Sequence, residues 1–110
     1  MYRVKKSKYQ NRKVEFDGHK FDSMKEAKRY QQLKLLERAK VIDDLKLQVP
    51  FVLIEKSRYG RAIKYIADFT YYDNEKGMRV VEDVKGMKTD LYKLKKRLMA
   101  EKYGIEILET

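Results

Sequence analysis

The stretch that most constrains the fold is a hairpin. From Ala62 to Tyr72 apolar and polar residues alternate, with Ile63, Tyr65, Ala67, Phe69 and Tyr71 on one face, and a period of two is the strand period. Asp73-Asn74-Glu75-Lys76-Gly77 reads as a turn, and Met78 to Lys85 as a second strand that Gly86 ends. With the turn centred near Glu75, cross-strand partners sum to about 150. Asp68 then lies opposite Glu82 or Asp83. We expect Asp83, because that register also puts Lys85 beside the pair, two residues along on the same face. Glu82 then points the other way, with Val80 and Val84.

The rest of the chain is read around this hairpin. Ser23-Met24-Lys25-Glu26 has the capping-box spacing and opens a helix to about Lys40, with Glu26, Tyr30 and Leu33 on one stripe. Leu45 to Ile54 is a strand candidate in which Pro50 suggests an edge or a bend. Thr89 to Tyr103 is a second helix with Leu91, Leu94 and Leu98 inward. Its outer side carries Lys93, Lys95, Lys96 and Arg97, and Gly104 is a C-terminal stop. Ile105 to Leu108 reads as a last short strand. Val14 to Phe21 forms a small hairpin around Asp17-Gly18. Residues 1–14, with Arg3, Lys5, Lys6, Lys8, Arg12 and Lys13 and no acid, read as a flexible basic arm. Residues 15–110 form a single domain of the α/β (α+β) class, in the order helix, three strands, helix, strand.

Composition narrows the function. A chain of 110 residues holds one core, and burial of roughly two-thirds of the unfolded surface lets it fold unaided. Absence of cysteine excludes a disulfide scaffold, a thiolate zinc site and a cysteine nucleophile, and fits a reducing, cytoplasmic compartment. Lys+Arg exceed Asp+Glu by 27 to 17, a net charge of +10. That balance points to a polyanion, nucleic acid before an acidic membrane. No apolar run approaches the ~20 residues of a membrane span, and the N-terminus is too polar for a secretory signal. The apolar residues fall in periodic blocks, which argues against disorder despite 40% charged residues.

Two facing carboxylates repel unless something compensates. Magnesium is a natural compensation: a hard ion that takes one or two carboxylates, keeps waters and is completed by phosphate. Its bound water is acidified and attacks phosphorus, and a neighbouring lysine offsets the developing charge. The triplet acid-x-Lys is weak by itself, since Glu26-Ala27-Lys28, Asp44-Leu45-Lys46 and Asp83-Val84-Lys85 all match. Only the last sits on a strand paired to another acid and followed by a glycine and a basic helix. The rival reading is a sheet with surface cross-strand charge pairs. For Glu26 the rival is a capping glutamate bonded to the Ser23 backbone. Asp43-Asp44 reads as a solvated turn, and His19 as a surface or packed residue.

In this order of elements, Asp68 and Asp83-Val84-Lys85 resemble the PD-(D/E)XK nuclease superfamily, and within it a branch of small phage and prophage proteins. Phe21-Asp22-Ser23-Met24-Lys25-Glu26-Ala27-Lys28-Arg29-Tyr30 looks like the first helix of that branch. Lys64-Tyr65-Ile66-Ala67-Asp68-Phe69 looks like the second strand, and Val81-Glu82-Asp83-Val84-Lys85-Gly86 like the catalytic strand. The resemblance implies a restriction-endonuclease-like core with a mixed central sheet and a Mg²⁺- or Mn²⁺-dependent DNA endonuclease, acting on branched DNA in phage DNA metabolism within the host cytoplasm. Asp68 and Asp83 would be metal ligands, Lys85 the catalytic lysine, and Glu26 the helix acid that completes the metal site. Gln48 would assist, and Glu82 is a substitute for Asp83. Two departures stand out: Ala67 replaces the proline of the superfamily name, and the central acid is Asp rather than the commoner Glu. The DNA contacts expected are Lys5, Lys6, Lys8, Arg12 and Lys13 in the arm and Lys88, Lys93, Lys95, Lys96 and Arg97 on or before the second helix. A homodimer would cut both strands. The alternative is a non-catalytic nucleic-acid-binding accessory protein on the same fold.

Overall fold

A computed structural model describes residues 3–6, 12–84 and 88–110, the backbone alone for 3–6 and 12. The elements run β1 (Arg3–Lys6), β2 (Arg12–Phe16), β3 (His19–Phe21), α1 (Met24–Arg38), β4 (Ile42–Ile54), β5 (Ile63–Asp73), β6 (Met78–Asp83), α2 (Asp90–Tyr103) and β7 (Leu108–Glu109). Two sheets form, β1-β2-β3 and β4-β5-β6-β7. In the larger sheet β4, β5 and β6 are antiparallel and β7 is parallel to β6, reached through α2. The protein is therefore α+β, with a mixed four-stranded sheet and, among the described residues, two helices.

The hairpin register is the one expected. Phe69 pairs with Glu82 and Thr70 with Val81, so one step further Asp68 faces Asp83. β4 is an edge strand, where the missing N–H of Pro50 costs no ladder bond. It begins at Ile42, earlier than expected. Asp43 and Asp44, read as a solvated turn, lie inside it at a register shift, with Asp44 left-handed at φ 56. Aspartate tolerates that conformation better than most residues. There Asp43 accepts from Asn74 and Asp44 from Arg79.

The amino-terminal segment also departs from expectation. Arg3–Lys6 pairs with β2 from Arg3↔Glu15 to Lys6↔Arg12, so the sheet crosses the boundary drawn at residue 14. The pairing satisfies backbone groups that β2 would otherwise leave open on that edge.

Both helices have clear ends. Ser23 caps α1 by accepting from the Glu26 N–H, and Thr89 caps α2 by accepting from that of Tyr92. Gly104 ends α2 at φ 66, a conformation that costs glycine nothing. The inward face of α2 is not the leucine stripe. Leu91 and Leu94 are exposed and Leu98 is half-buried, whereas Tyr92 and Met99 are buried. The helix sits one position, about 100°, round from the expected orientation, because the sheet takes the Tyr92–Met99 side.

The core has two parts. α1 contributes Ala27, Tyr30 and Leu33 to one cluster with Val14, Phe21, Phe69, Tyr71 and Val80. α2 contributes Tyr92 and Met99 to the other, with Leu53, Tyr65, Ala67, Val81 and Ile107. The alternating residues of β5 are thus divided: Tyr65 and Ala67 join one cluster, Phe69 and Tyr71 the other, and Ile63 is exposed. Asp68 stands at the changeover.

Glu82 is completely buried. Arg29 grips it with two N–H groups at 2.7 and 2.9 Å, the Tyr71 hydroxyl donates at 2.7 Å and the Thr110 hydroxyl at 3.0 Å. This network ties α1, β5, β6 and the residue after β7 to one carboxylate. Removing Arg29 strands that charge, so Arg29→Ala is expected to cost about 3 kcal/mol in urea unfolding. Lys34→Ala, which removes only the partly exposed pair with Glu37 at 3.1 Å, is expected to cost less than about 1 kcal/mol. Equal losses would remove the buried clamp from its central place.

Candidate functional site

With Glu82 turned to α1, Asp83 is turned the other way, because successive side chains alternate. It meets Asp68 at a cavity of about 410 Å³ between β5, the end of β6 and the start of α2. Asp83 is only 2% exposed and accepts the hydroxyl of Tyr65 at 2.7 Å. Asp68 accepts the Val84 N–H at 2.8 Å and is hydrogen-bonded to Asp83. Two carboxyl groups bond to each other only if one keeps a proton. Burial above all pushes the Asp68 carboxyl up, to about 8. The bond with Asp83 and the negative charges of Glu26 and Asp83 act in the same direction, and the Val84 N–H opposes them. Burial likewise pushes the Tyr65 phenol up, helped by Asp83.

Glu26 approaches from the first turn of α1. Its backbone N–H is spent on the Ser23 cap, while its buried carboxylate accepts from the Gln48 amide at 3.2 Å. Capping and site roles therefore fall on different groups of one residue. Gln48 is left-handed at φ 53, uncommon for a non-glycine residue and a strain of about 1–3 kcal/mol. It lines the cavity of the two aspartates while bonding Glu26, and so links the helix acid to the strand acids.

The structure thus brings Glu26, Gln48, Asp68 and Asp83 together. Among the described residues, no three histidine, cysteine or carboxylate side chains form a group set to hold a metal ion. Glu82 is not available as a substitute for Asp83: its oxygens serve Arg29, Tyr71 and Thr110 on the α1 side. Lys85 and Lys8 lie outside the described residues, as do the side chains of Lys5, Lys6 and Arg12. Lys13 is exposed, 4.0 Å from Asp22.

The basic residues of the α2 region are unequal. Lys88 and Lys96 both pair with Glu109, at 3.0 and 3.2 Å, and Arg97 pairs with Glu101 at 3.1 Å. Lys93 is exposed, and of these residues Lys95 lines the cavity. Two further lining residues escaped the sequence reading. Lys64 shares the strand face of Asp68, four residues before it, a spacing that was legible. Tyr65 passed for an ordinary core residue, although a buried tyrosine hydroxyl needs a partner. Neither Lys64 nor Lys95 has a carboxylate at ion-pair distance among the described residues. His19 is packed at the surface, its ring 5.3 Å from that of Tyr30.

The chain belongs to the DUF1064 family, described as a protein of unknown function, whose match spans residues 6–108. No curated protein and no solved structure matches it. No helix among the described residues is long and apolar enough to cross a membrane.

The paired aspartates have a measurable consequence without any ligand. Below about pH 4 the Asp68 carboxyl is protonated both folded and unfolded; between about 4 and 8 only the folded state retains the proton. Stability from this group is present in acid and is lost as pH rises through 8. In EDTA, Asp68→Asn should therefore melt progressively higher than the wild type as pH rises across that window, by about 5 °C at its upper end. A pH-independent difference would contradict the paired arrangement.

Proposed function

We propose that the protein is a divalent-metal-dependent endonuclease that hydrolyses phosphodiester bonds in DNA. One observation carries this reading: the buried Asp83 and the half-buried Asp68 share a cavity with Lys64 and Lys95, which have no carboxylate partner among the described residues. An acid pair that must keep a proton when alone suits a hard cation, which would replace the proton and accept oxygen donors. Asp68 and Asp83 would hold Mg²⁺ or Mn²⁺, with Glu26 completing the set and Gln48 steadying Glu26. When bound there, such an ion supplies an acidified water and a Lewis acid for the phosphoryl oxygen.

The chain's own groups would do the rest. The Tyr65 hydroxyl holds Asp83 and the Val84 N–H holds Asp68, so neither carboxylate is free to rotate away. Lys64 and Lys95 would bind the non-bridging phosphate oxygens and offset their charge. Lys85, assigned from its place two residues beyond Asp83, would orient the attacking water. The order α1, β4-β5-β6, α2, β7 supports reading the domain as a PD-(D/E)XK-like core. Branched DNA is the proposed substrate, and pairing of two copies would let one assembly cut both strands.

The test is incubation of supercoiled plasmid and a synthetic four-way junction with Mg²⁺, Mn²⁺ or EDTA. Asp83→Ala and Lys85→Ala should each reduce cleavage by about 100-fold or more, since even groups supporting a metal ligand typically matter 10–100-fold. DNA binding in EDTA should change little. Mn²⁺ should raise the melting temperature of the wild type and not of an Asp68→Asn/Asp83→Asn variant. Undiminished nicking by either alanine variant would sink the assignment. The absence of a three-donor group among the described residues favours the other reading, a metal-free nucleic-acid-binding protein. That reading predicts salt-sensitive binding, no cleavage and no metal-induced shift.

A further inference from the structure

A second cavity, of about 620 Å³, opens between the β2–β3 turn, α1 and β4. His19, Lys20, Lys34 and Lys46 line it, and among the described residues no carboxylate does. Gln48 lines both this cavity and the one that holds Asp68 and Asp83. The two therefore adjoin at Gln48, the left-handed residue of β4.

The lysines here are only loosely committed. Lys20 is exposed and has no ion-pair partner among the described residues. Lys34 pairs with Glu37 at 3.1 Å, but the other oxygen of Glu37 is held by the Leu45 N–H. Lys46 stands 3.7 Å from Asp44, which is bound more closely by Arg79 at 2.7 Å. Exposed pairs of this kind are worth little and exchange readily for a phosphate. By contrast Lys88 and Lys96, two of the cations expected to face DNA, converge on the less exposed carboxylate of Glu109, while the Arg97–Glu101 pair is as exposed as those of the cleft.

We propose that the cleft lined by Lys20, Lys34 and Lys46 is a track for the phosphodiester backbone of one nucleic-acid strand, leading past Gln48 to the paired aspartates. It deepens the endonuclease reading and rests on it for the direction of the track. Several cations in one cleft that adjoins the site suit a linear polyanion, whereas a small anion would need only one of them. A concave cleft takes the edge of one strand rather than the body of a duplex.

The test measures binding in EDTA, so that it stands apart from cleavage. A labelled single-stranded oligonucleotide, as DNA and as RNA, and the corresponding DNA duplex are titrated by fluorescence anisotropy at several KCl concentrations. The variants are Lys20→Gln/Lys34→Gln/Lys46→Gln, the same three positions changed to Arg, and Lys88→Gln/Lys96→Gln/Arg97→Gln. Loss of three phosphate contacts should flatten the log K against log[salt] slope for the single strand by about 2. The arginine variant should keep the wild-type slope, and the Lys88/Lys96/Arg97 variant should lose less than the cleft variant. DNA and RNA strands should both show the loss if the backbone is what is bound, and the tighter of the two identifies the source. A cleft variant with the wild-type slope, a loss confined to the duplex, or a wild type that binds neither strand would overturn the track. If the slope flattens but metal-dependent cleavage is absent, the endonuclease reading fails and the track stands. If cleavage occurs and the slope is unchanged, only the track fails.

Discussion

The interaction on which the rest of the structure depends is the burial of the Glu82 carboxylate. A charge with no access to water is tolerable only when its oxygens are occupied by donors. Arg29, Tyr71 and Thr110 meet that demand, and they come from α1, β5 and the end of the chain that follows β7. The requirement fixes how α1 lies on the sheet and holds the carboxy-terminal residue against β6. It also fixes the side on which β6 presents its next residue. A strand that turns Glu82 toward α1 must turn Asp83 away from it.

The candidate site is a consequence of that choice. Asp68 and Asp83 meet at the changeover between two apolar clusters, one under each helix. Neither cluster covers the changeover completely, so a cavity remains, and most of the residues around it are polar. The two acids are held by Val84 and Tyr65 rather than released to solvent. Keeping two carboxyl groups so close opposes folding once both would ionise. Such local conflict between stability and arrangement is usual where a protein binds something. The left-handed Gln48 beside the site is a second instance of it.

The acid pair and its register were legible because a tight turn leaves few ways to pair a short hairpin. Glu26 and Gln48 were legible only through the family resemblance, since their meeting depends on how α1 crosses β4. The leucines of α2 misled because hydropathy alone does not orient a helix. Tyr92 and Met99 face the sheet instead, and Tyr92 finds Glu109 there at 2.7 Å. The basic residues misled for a related reason. A lysine on a helix looks available until a distant carboxylate, such as Glu109 from β7, is folded against it.

The order of elements from β2 onward, the hairpin, the helix ends at Ser23 and Gly104 and the Asp68–Asp83 pairing follow from the sequence alone, because periodicity, turns and caps are local. Tertiary structure decided that the oxygens of Glu82 would be consumed by Arg29, Tyr71 and Thr110, while Asp83, equally buried, borders the cavity. It also separated lysines neutralised by partners far along the chain from those left open beside the site. Burial and charge pairing act between residues distant in sequence, and only the packing of the elements brings them within reach.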